Sequence, residues 1–393
     1  MKYSELMEIL NLVFRKELPK QMIIQMTDIC NAGCPQCGMN VSKDYIRNKL
    51  DLSRLKLVID KAVDMGIKSL SITGGEPLLM KNDLFEAISY ASKNGIKYTR
   101  TGTNGFLFMN HDKQDFEKRV SKLAEAILES NLYTFWISID SWDREKHEKN
   151  RGLMGVVEGI EKGIRIFENY KLHPSVNLGI NRLIEVDDPT YKLNGHFYPD
   201  AFYDNYYNGL SKFFDFAISL GFKIANLCYP MSFEGAVYKA ESSEYIVRYS
   251  EKEKKILYKV IFDVVRKYRK KIKIFTPLVS IKNLMDQYDD KESIGCLGGK
   301  SFFFVDTLGN LYPCGFKSEF SFGDFLSLNG GIGIKADCRE CDWECFRDPS
   351  AMFIPLKNIT NPFFIAKNID KYYYLLNDIL YYSKANFFNI RVN

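Results

Sequence analysis

Met22-Ile23-Ile24-Gln25-Met26-Thr27-Asp28-Ile29-Cys30-Asn31-Ala32-Gly33-Cys34-Pro35-Gln36-Cys37-Gly38 is the stretch from which the rest of the chain can be read. Met22 to Met26 is a short apolar run of strand character. A C-x3-C-x2-C loop follows, formed by Cys30, Cys34 and Cys37. Three thiolates packed this closely can hold one iron–sulfur cluster, but they are one short of the usual four. A cubane held by three cysteines leaves one iron open to a substrate or cofactor. Close cysteines also serve as zinc ligands, usually as two C-x2-C pairs. What surrounds the loop decides between these readings.

Outward from the loop, strand-like and helix-like segments alternate. Ser69 to Thr73, Lys97 to Thr101, Thr134 to Ile139, Val176 to Ile180 and Lys223 to Cys228 read as five further strands. Between them, Asp51 to Met65, Leu84 to Asn94, Asp115 to Ser130, Val156 to Tyr170 and Leu210 to Leu220 read as helices, several stopped by glycine. Six strand–helix steps imply a parallel α/β sheet with right-handed crossovers. Every suggestive polar motif follows a strand, as at the C-terminal mouth of a β/α barrel. The reading is therefore a partial, TIM-like (β/α)6 barrel over 21–240. Glu185 to Gly209 breaks the rhythm and reads as a lid loop or surface insertion.

Gly74-Gly75-Glu76-Pro77 ends the second strand. Glycines there let a ligand approach the backbone closely, and the Glu76 carboxylate can accept hydrogen bonds from an ammonium group. A tight turn into the next helix would explain the glycines and Pro77 equally well. Thr103-Asn104-Gly105 ends the third strand, and Ser138-Ile139-Asp140-Ser141 ends the fourth, followed by Asp143, His147, Asn150, Arg151 and Gly152. On simple helix rules His147 is an exposed helix-start residue and Asp140 a helix cap.

Taken together, the cysteine loop after the first strand and Gly-Gly-Glu-Pro after the second resemble the radical S-adenosylmethionine (SAM) enzymes. The resemblance implies a [4Fe-4S] cluster on Cys30, Cys34 and Cys37, with SAM at its open iron. It implies contacts to the SAM amino group from Gly74, Gly75, Glu76 and Pro77. It implies further contacts from Asn104, Ser138 and Arg151. An electron donor such as flavodoxin or ferredoxin would reduce the cluster, and SAM would yield methionine and a 5′-deoxyadenosyl radical that takes hydrogen from a substrate carbon.

Cys296, Cys314, Cys338, Cys341 and Cys345 form a second group. Phe302 to Val305, a turn at Asp306–Asn310 and Leu311 to Pro313 read as a hairpin, with Gly309 supplying the turn. This region, over 291–350, resembles the C-terminal auxiliary-cluster domain of radical SAM proteins, in its shorter "twitch" form rather than the two-cluster "SPASM" form. The resemblance implies one auxiliary [4Fe-4S] cluster on Cys296, Cys314, Cys338 and Cys341. Cys345 is the alternative to Cys341, or a hydrogen donor or acceptor near substrate. A structural zinc ribbon is the competing reading. Cys228 reads as a buried apolar residue.

The remaining divisions are an N-terminal helical segment over 1–20, a helical bridge over 241–290 and an aromatic helical tail over 351–393. The tail aromatics recur at helical spacing and read as packing against the barrel; contact with a membrane surface is the weaker alternative, because a basic polar face is missing.

The chain has 393 residues, 46% of them hydrophobic, enough for one large domain and a smaller one. A net charge of +5 is weak for this length and does not call for nucleic acid. The basic run from Arg266 to Lys273 reads as a solvated helix end. Nine cysteines, an odd number in two clusters plus Cys228, argue for metal ligation in a reducing cytoplasm over a disulfide framework. No apolar stretch approaches the roughly 20 residues needed to span a bilayer. About twenty residues precede the first strand, too few for a leader-peptide-binding module. The reading is thus hydrogen abstraction from a small molecule, for oxidation, epimerisation or bond formation. The alternatives are a peptide maturase with a separate leader-binding partner, and a non-enzymatic iron–sulfur electron carrier.

Overall fold

Strand β1, Lys20–Thr27, is buried at every residue after the first. A strand covered on both faces belongs in the middle of a parallel sheet, and β1 lies there. The computed structural model describes residues 17–41, 46–186, 192–193, 196–231, 244–329, 337–385 and 389–391. The expected helical segment over 1–20 lies almost wholly outside the described residues.

The chain then steps regularly. Helix α1, Leu52–Asp64, starts where the Asp51 side chain accepts from the Arg54 N–H and buries Leu55, Val58, Ile59 and Ala62. Strand β2, Ile67–Gly74, helix α2, Lys81–Lys93, and strand β3, Tyr98–Thr103, follow. Next come helix α3, Phe116–Glu129, strand β4, Thr134–Ser138, and two helices, α4, Arg144–Arg151, and α5, Val156–Asn169. Strand β5, Ser175–Gly179, helix α6, Pro199–Ser219, and strand β6, Ile224–Cys228, complete the six steps. All six strands are parallel and adjacent in chain order.

Helix α6 corrects the reading of 185–209. It begins at Pro199, not near Leu210, and buries Phe202, Tyr206, Gly209, Leu210, Phe213 and Phe214. Its first half is rich in Tyr, Asn and Asp, residues of modest helix propensity, and the apolar stripe overrides that propensity through packing.

The sheet does not stop at six strands. After helix α7, Glu251–Tyr268, strand β7, Lys273–Ile274, pairs with β6. Helix α8 is Leu278–Tyr288. Strand β8, Phe302–Val305, pairs in parallel with β1, and antiparallel strands β9, Asn310–Tyr312, and β10, Gly323–Asp324, extend that edge. Among the described residues the main sheet has ten strands, in the order β10-β9-β8-β1-β2-β3-β4-β5-β6-β7. The cysteine-rich hairpin is thus joined to the barrel sheet through the hydrogen bonds of β1.

Helices α9, Glu344–Lys357, α10, Pro362–Lys367, and α11, Ile369–Lys384, follow. Leu375 and Tyr382 of α11 are buried, whereas Phe363 and Tyr373 are exposed. The tail therefore packs with part of its aromatic surface only; Phe387 and Phe388 lie outside the described residues. Arg269, expected on a solvated helix end, donates to Asp378 at 2.6 Å and to the Thr276 carbonyl at 2.8 Å. It ties α7 to α11.

The strand residues sort by period two. Leu70, Ile72, Phe135, Ile137, Val176, Leu178, Ala225 and Leu227 are buried in the core shared with the helices. Their neighbours in the chain, among them Ser69, Ser71, Arg100, Ser138, Ser175, Asn177 and Asn226, line a common cavity of about 1230 Å³. A sheet whose strands all face one cavity is curved around it. A closed β/α barrel fills its interior with branched apolar side chains; this one mixes small polar side chains with a few large ones, among them Trp136, and stays open. Glu344, Asp348, Met352 and Leu356, with Cys345, Pro349 and Phe353, put one face of α9 along the same cavity.

Candidate active site and second cysteine group

The cysteine loop is held from three sides. Asp28 accepts from the Gln25 side chain at 2.5 Å, from the Asn48 N–H at 3.0 Å and from the Thr307 hydroxyl at 3.1 Å. From below, the Gly75 N–H donates to the Thr27 carbonyl at 2.7 Å and the Glu76 N–H to the Ile29 carbonyl at 2.9 Å. From the side, the Gly33 N–H donates to the carbonyl of Arg151 at 2.8 Å. The glycines of the second motif serve this packing. A Cβ on Gly74 would stand 2.3 Å from the Thr27 oxygen, and one on Gly75 would stand 2.2 Å from the Ile29 oxygen. What approaches them closely is the backbone of the cysteine loop.

Glu76 is fully buried, and both of its carboxylate oxygens are engaged. One accepts from the Leu78 N–H at 3.0 Å, capping the turn Pro77–Met80; the other accepts from the Asn104 N–H at 2.6 Å. Burial pushes its carboxyl up to about 7, against those backbone hydrogen bonds. The Asn104 side chain in turn donates to Asn31 at 2.8 Å and toward the Cys30 sulfur at 3.7 Å. Glu76 and Asn104 thus hold the second and third strand ends to the cysteine loop.

The fourth strand end is organised by Asp140. Arg151 donates to it through two nitrogens, each at 2.7 Å, and Asn150 and Gln36 add bonds at 3.0 and 3.2 Å. Burial works against the carboxylate, but Arg151, His147 and Asn150 outweigh it and hold its pKa below the usual range. Two readings are corrected here. The cap of α4 is Asp143, which accepts from the Lys146 N–H. His147 is completely buried: its Nδ1 accepts from the Asp140 N–H at 3.0 Å, and burial pulls its pKa down to about 4. The ring is therefore neutral at pH 7, with the proton on Nε2.

Cys30, Cys34 and Cys37 all line the cavity, together with Gly74, Gly75, Glu76, Asn104, Ser138 and Arg151. Every first-site residue read from the sequence, Pro77 included, thus lines one space. Burial pushes the Cys34 thiol up to about 11. Such thiols lose their protons to a metal more readily than to water. Three thiols on one loop, facing open space at the mouth of the strands, fit a cluster with one uncommitted corner.

The second group divides. Cys296 and Cys338 pair through their backbones at 2.8 Å. Burial raises the Cys314 thiol to about 12, and the nearby thiols of Cys296 and Cys338 act in the same direction. Burial likewise raises Cys341, with Cys296 and Cys314 beside it. These four share one neighbourhood. The Cys345 thiol instead meets Glu344 at 3.3 Å and faces the cavity, near Arg100 and Cys228. Among the described residues no three Cys, His, Asp or Glu side chains converge on a single ion.

Residues 24–188 match the family model of the radical SAM superfamily. The chain carries a radical SAM domain. This domain holds the cysteine loop and the ends of β1 to β5. Over 151 residues the chain is 35% identical to GTP 3′,8-cyclase of Alkaliphilus oremlandii, a stretch covering 37% of this chain and 43% of that enzyme. Less than half of the cyclase is therefore matched. It is 24% identical to the AdoMet-dependent heme synthase of Methanosarcina barkeri over 304 residues, 76% of this chain and 77% of that one. In fold it resembles native anSMEcpe with bound AdoMet and Cp18Cys peptide, with a TM-score of 0.51 at 18% identity, over 79% of this chain and 78% of that chain. Among the described residues no helix is long and apolar enough to cross a membrane.

Three residues that matter here were not singled out from the sequence: Asp28, Gln36 and Arg100. Arg100 did carry a signal, since a charged residue in the middle of a buried strand demands a reason.

Proposed function

We propose that this radical SAM domain reductively cleaves SAM at Cys30, Cys34 and Cys37 and directs the resulting radical at a small molecule held in the barrel lumen. The observation that carries this reading is the single cavity that runs from the cysteine loop into the lumen. An electron carrier has no use for such a space, and its volume exceeds the roughly 300–1,000 Å³ of ordinary small-ligand pockets, leaving room for two ligands.

Bound at the loop, a cluster and SAM would supply a 5′-deoxyadenosyl radical able to take hydrogen from an unactivated carbon. The protein's own residues position and enclose. Gly74, Gly75 and Glu76 fix the loop against β2. Asp140 and Arg151 fix it against β4 and α4, and Ser138 faces the cavity between them. Helix α9 walls the lumen on its far side and keeps a radical from bulk water. On this reading Cys296, Cys314, Cys338 and Cys341 hold an auxiliary cluster of the twitch type behind α9, while Cys345 belongs to the lumen wall. A flavodoxin- or ferredoxin-like protein is the fitting electron donor.

The test is 5′-deoxyadenosine formation by anaerobically reconstituted, dithionite-reduced protein given SAM. Product above the no-enzyme control is expected, and Cys30→Ala, Cys34→Ala and Cys37→Ala should each abolish it. Normal cleavage by any of the three variants would refute the assignment.

A further inference from the structure

Arg100 lines the cavity, and its charge is only loosely matched. It is the third residue of β3, and its Nε donates to the Ser71 hydroxyl at 3.0 Å. Its Nη2 is buried and has no hydrogen-bond partner. Among the described residues it makes no ion pair within 4.0 Å. A buried guanidinium left unpaired is costly, by several kcal/mol in general, and Arg cannot shed its proton to escape that cost. Cys345 and Glu344 nearby offset that cost only in part. Glu344 acts on it only at a distance, and a Glu344 oxygen is already taken by the Cys345 thiol.

Position says what Arg100 is for. At about 3.3 Å per residue, it lies roughly 13 Å along β3 from Asn104, which touches the cysteine loop. It is therefore deep in the lumen and away from the loop. Lys20, Lys68 and Lys300 line the same cavity at the opposite end of the strands. Lys20 opens β1, Lys68 is the second residue of β2 and Lys300 precedes β8 by two. Cations thus gather at the N-terminal ends of the strands, with Glu17 beside them and Glu344 and Asp348 on the α9 wall. Next to Arg100, Gly102 has no side chain; a Cβ there would stand 2.0 Å from the Trp136 indole nitrogen. The ring lies over the glycine and lines the same cavity.

We propose that Arg100 is a substrate-binding residue that takes the anionic group, carboxylate or phosphate, of the small molecule on which this domain acts. This rests on the reading of the lumen as the substrate site, and it names the class of substrate. The anion lies on the Arg100 side with the Ser71 hydroxyl beside it, so the rest of the molecule points toward the cysteine loop. The lysines at the strand starts raise the local concentration of anions at that end.

Direct binding tests this separately from SAM cleavage. Calorimetric titration of the anaerobic holoprotein, in low-salt buffer, uses inorganic phosphate in one arm and succinate in the other. Saturable binding of one equivalent in at least one arm is expected, weakened at least tenfold in Arg100→Met and partly kept in Arg100→Lys, with SAM affinity unchanged. Binding in the phosphate arm alone identifies a phosphorylated substrate, and in the succinate arm alone a carboxylate. No binding in either arm, equal binding by Arg100→Met, or a parallel loss of SAM affinity would overturn the proposal. Should Arg100→Met not fold, phenylglyoxal labelling of the wild-type holoprotein gives the same answer. The anion that binds must slow modification of Arg100, and unchanged labelling refutes its role. Because neither readout involves 5′-deoxyadenosine, an inactive protein that binds the anion refutes the radical reading without touching this one.

Discussion

Gly75 is the point where two motifs far apart in the sequence become one structure. Replacing it with Ala puts a methyl carbon 2.2 Å from the Ile29 carbonyl oxygen, a contact with backbone that no side-chain rotation relieves. Overpacking of this kind costs about 1–3 kcal/mol, and here the strain falls on the loop that carries Cys30. Gly75→Ala should lower the unfolding midpoint and cut the iron bound at the first loop; iron content and stability equal to wild type would show the contact to be slack. His147 makes a second prediction, for pH. Its folded pKa of about 4 lies below its unfolded value near 6.5, so its contribution to stability is present above 6.5 and lost as pH falls through 4. Between pH 7.5 and 5.5 the unfolded chain takes up a proton that the folded ring refuses, which costs the fold about 1.4 kcal/mol. In His147→Asn, which keeps an acceptor for the Asp140 N–H, that part of the loss should vanish in urea titrations at the two pH values. An undiminished pH dependence would mean that other groups carry it. At this scale the sequence showed which residues gather, since Cys30, Glu76, Asn104, Ser138 and Arg151 all reach one cavity end. It did not show what each touches. Glu76 and Asn104 spend hydrogen bonds on backbone and loop because buried polar groups must be satisfied, and that accounting needs coordinates.

Helix α5 approaches the turn Phe106–Phe108 through Gly159 and Gly163, four residues apart on one face. In an ordinary helix Gly→Ala stabilises by about 1 kcal/mol. At Gly159 the added carbon would stand 1.7 Å from the Phe108 carbonyl oxygen, so the sign reverses. Gly159→Ala should destabilise on the order of 2 kcal/mol, whereas Gly179→Ala, with nothing within 4 Å, should change little. Thermal unfolding of the two variants decides, and equal midpoints would discount the packing argument. The second cysteine group gives another test. If Cys296, Cys314, Cys338 and Cys341 form the ligand set, Cys345→Ala should keep about eight irons per chain and Cys341→Ala only about four. The reverse pattern would exchange the two residues' roles. Elements whose pattern was strongly periodic were legible: α1, α3 and α5 fall within a residue or two of their expected bounds, as do the six strands. Helix α6 was not. Its N-terminal half lacks a capping side chain and is built from weak helix formers, so its start is set by burial of Phe202 and Tyr206 among neighbouring aromatic rings, Phe197 and Tyr249.

The cysteine-rich region reads in sequence as an appended domain, yet its first strand continues the barrel sheet. Hairpin pairing is a local signal, whereas β8 against β1 joins residues some 280 apart, and nothing in either segment announces the other. The consequence is testable. Phe302, Phe303, Phe304 and Val305 are all essentially fully buried. At about 2 kcal/mol per large apolar side chain, their burial contributes on the order of 8 kcal/mol, comparable to the whole net stability of a typical domain. Removing residues 291–393 would also turn β1, with Met22, Ile23, Ile24 and Met26 along it, into an open edge strand prone to aggregation. Three ties to the barrel would go with it: the Thr307 hydroxyl on Asp28 beside the cysteine loop, the Gln21 side chain on the Cys345 carbonyl, and the Arg54–Asp324 pair. A chain ending at residue 290 should therefore be aggregated or unfolded by size-exclusion chromatography and circular dichroism, and should not assemble a cluster on Cys30, Cys34 and Cys37. A monomeric, folded truncation that binds about four irons there would mean that barrel and hairpin are separable units, and that the β1–β8 pairing joins two domains each stable on its own.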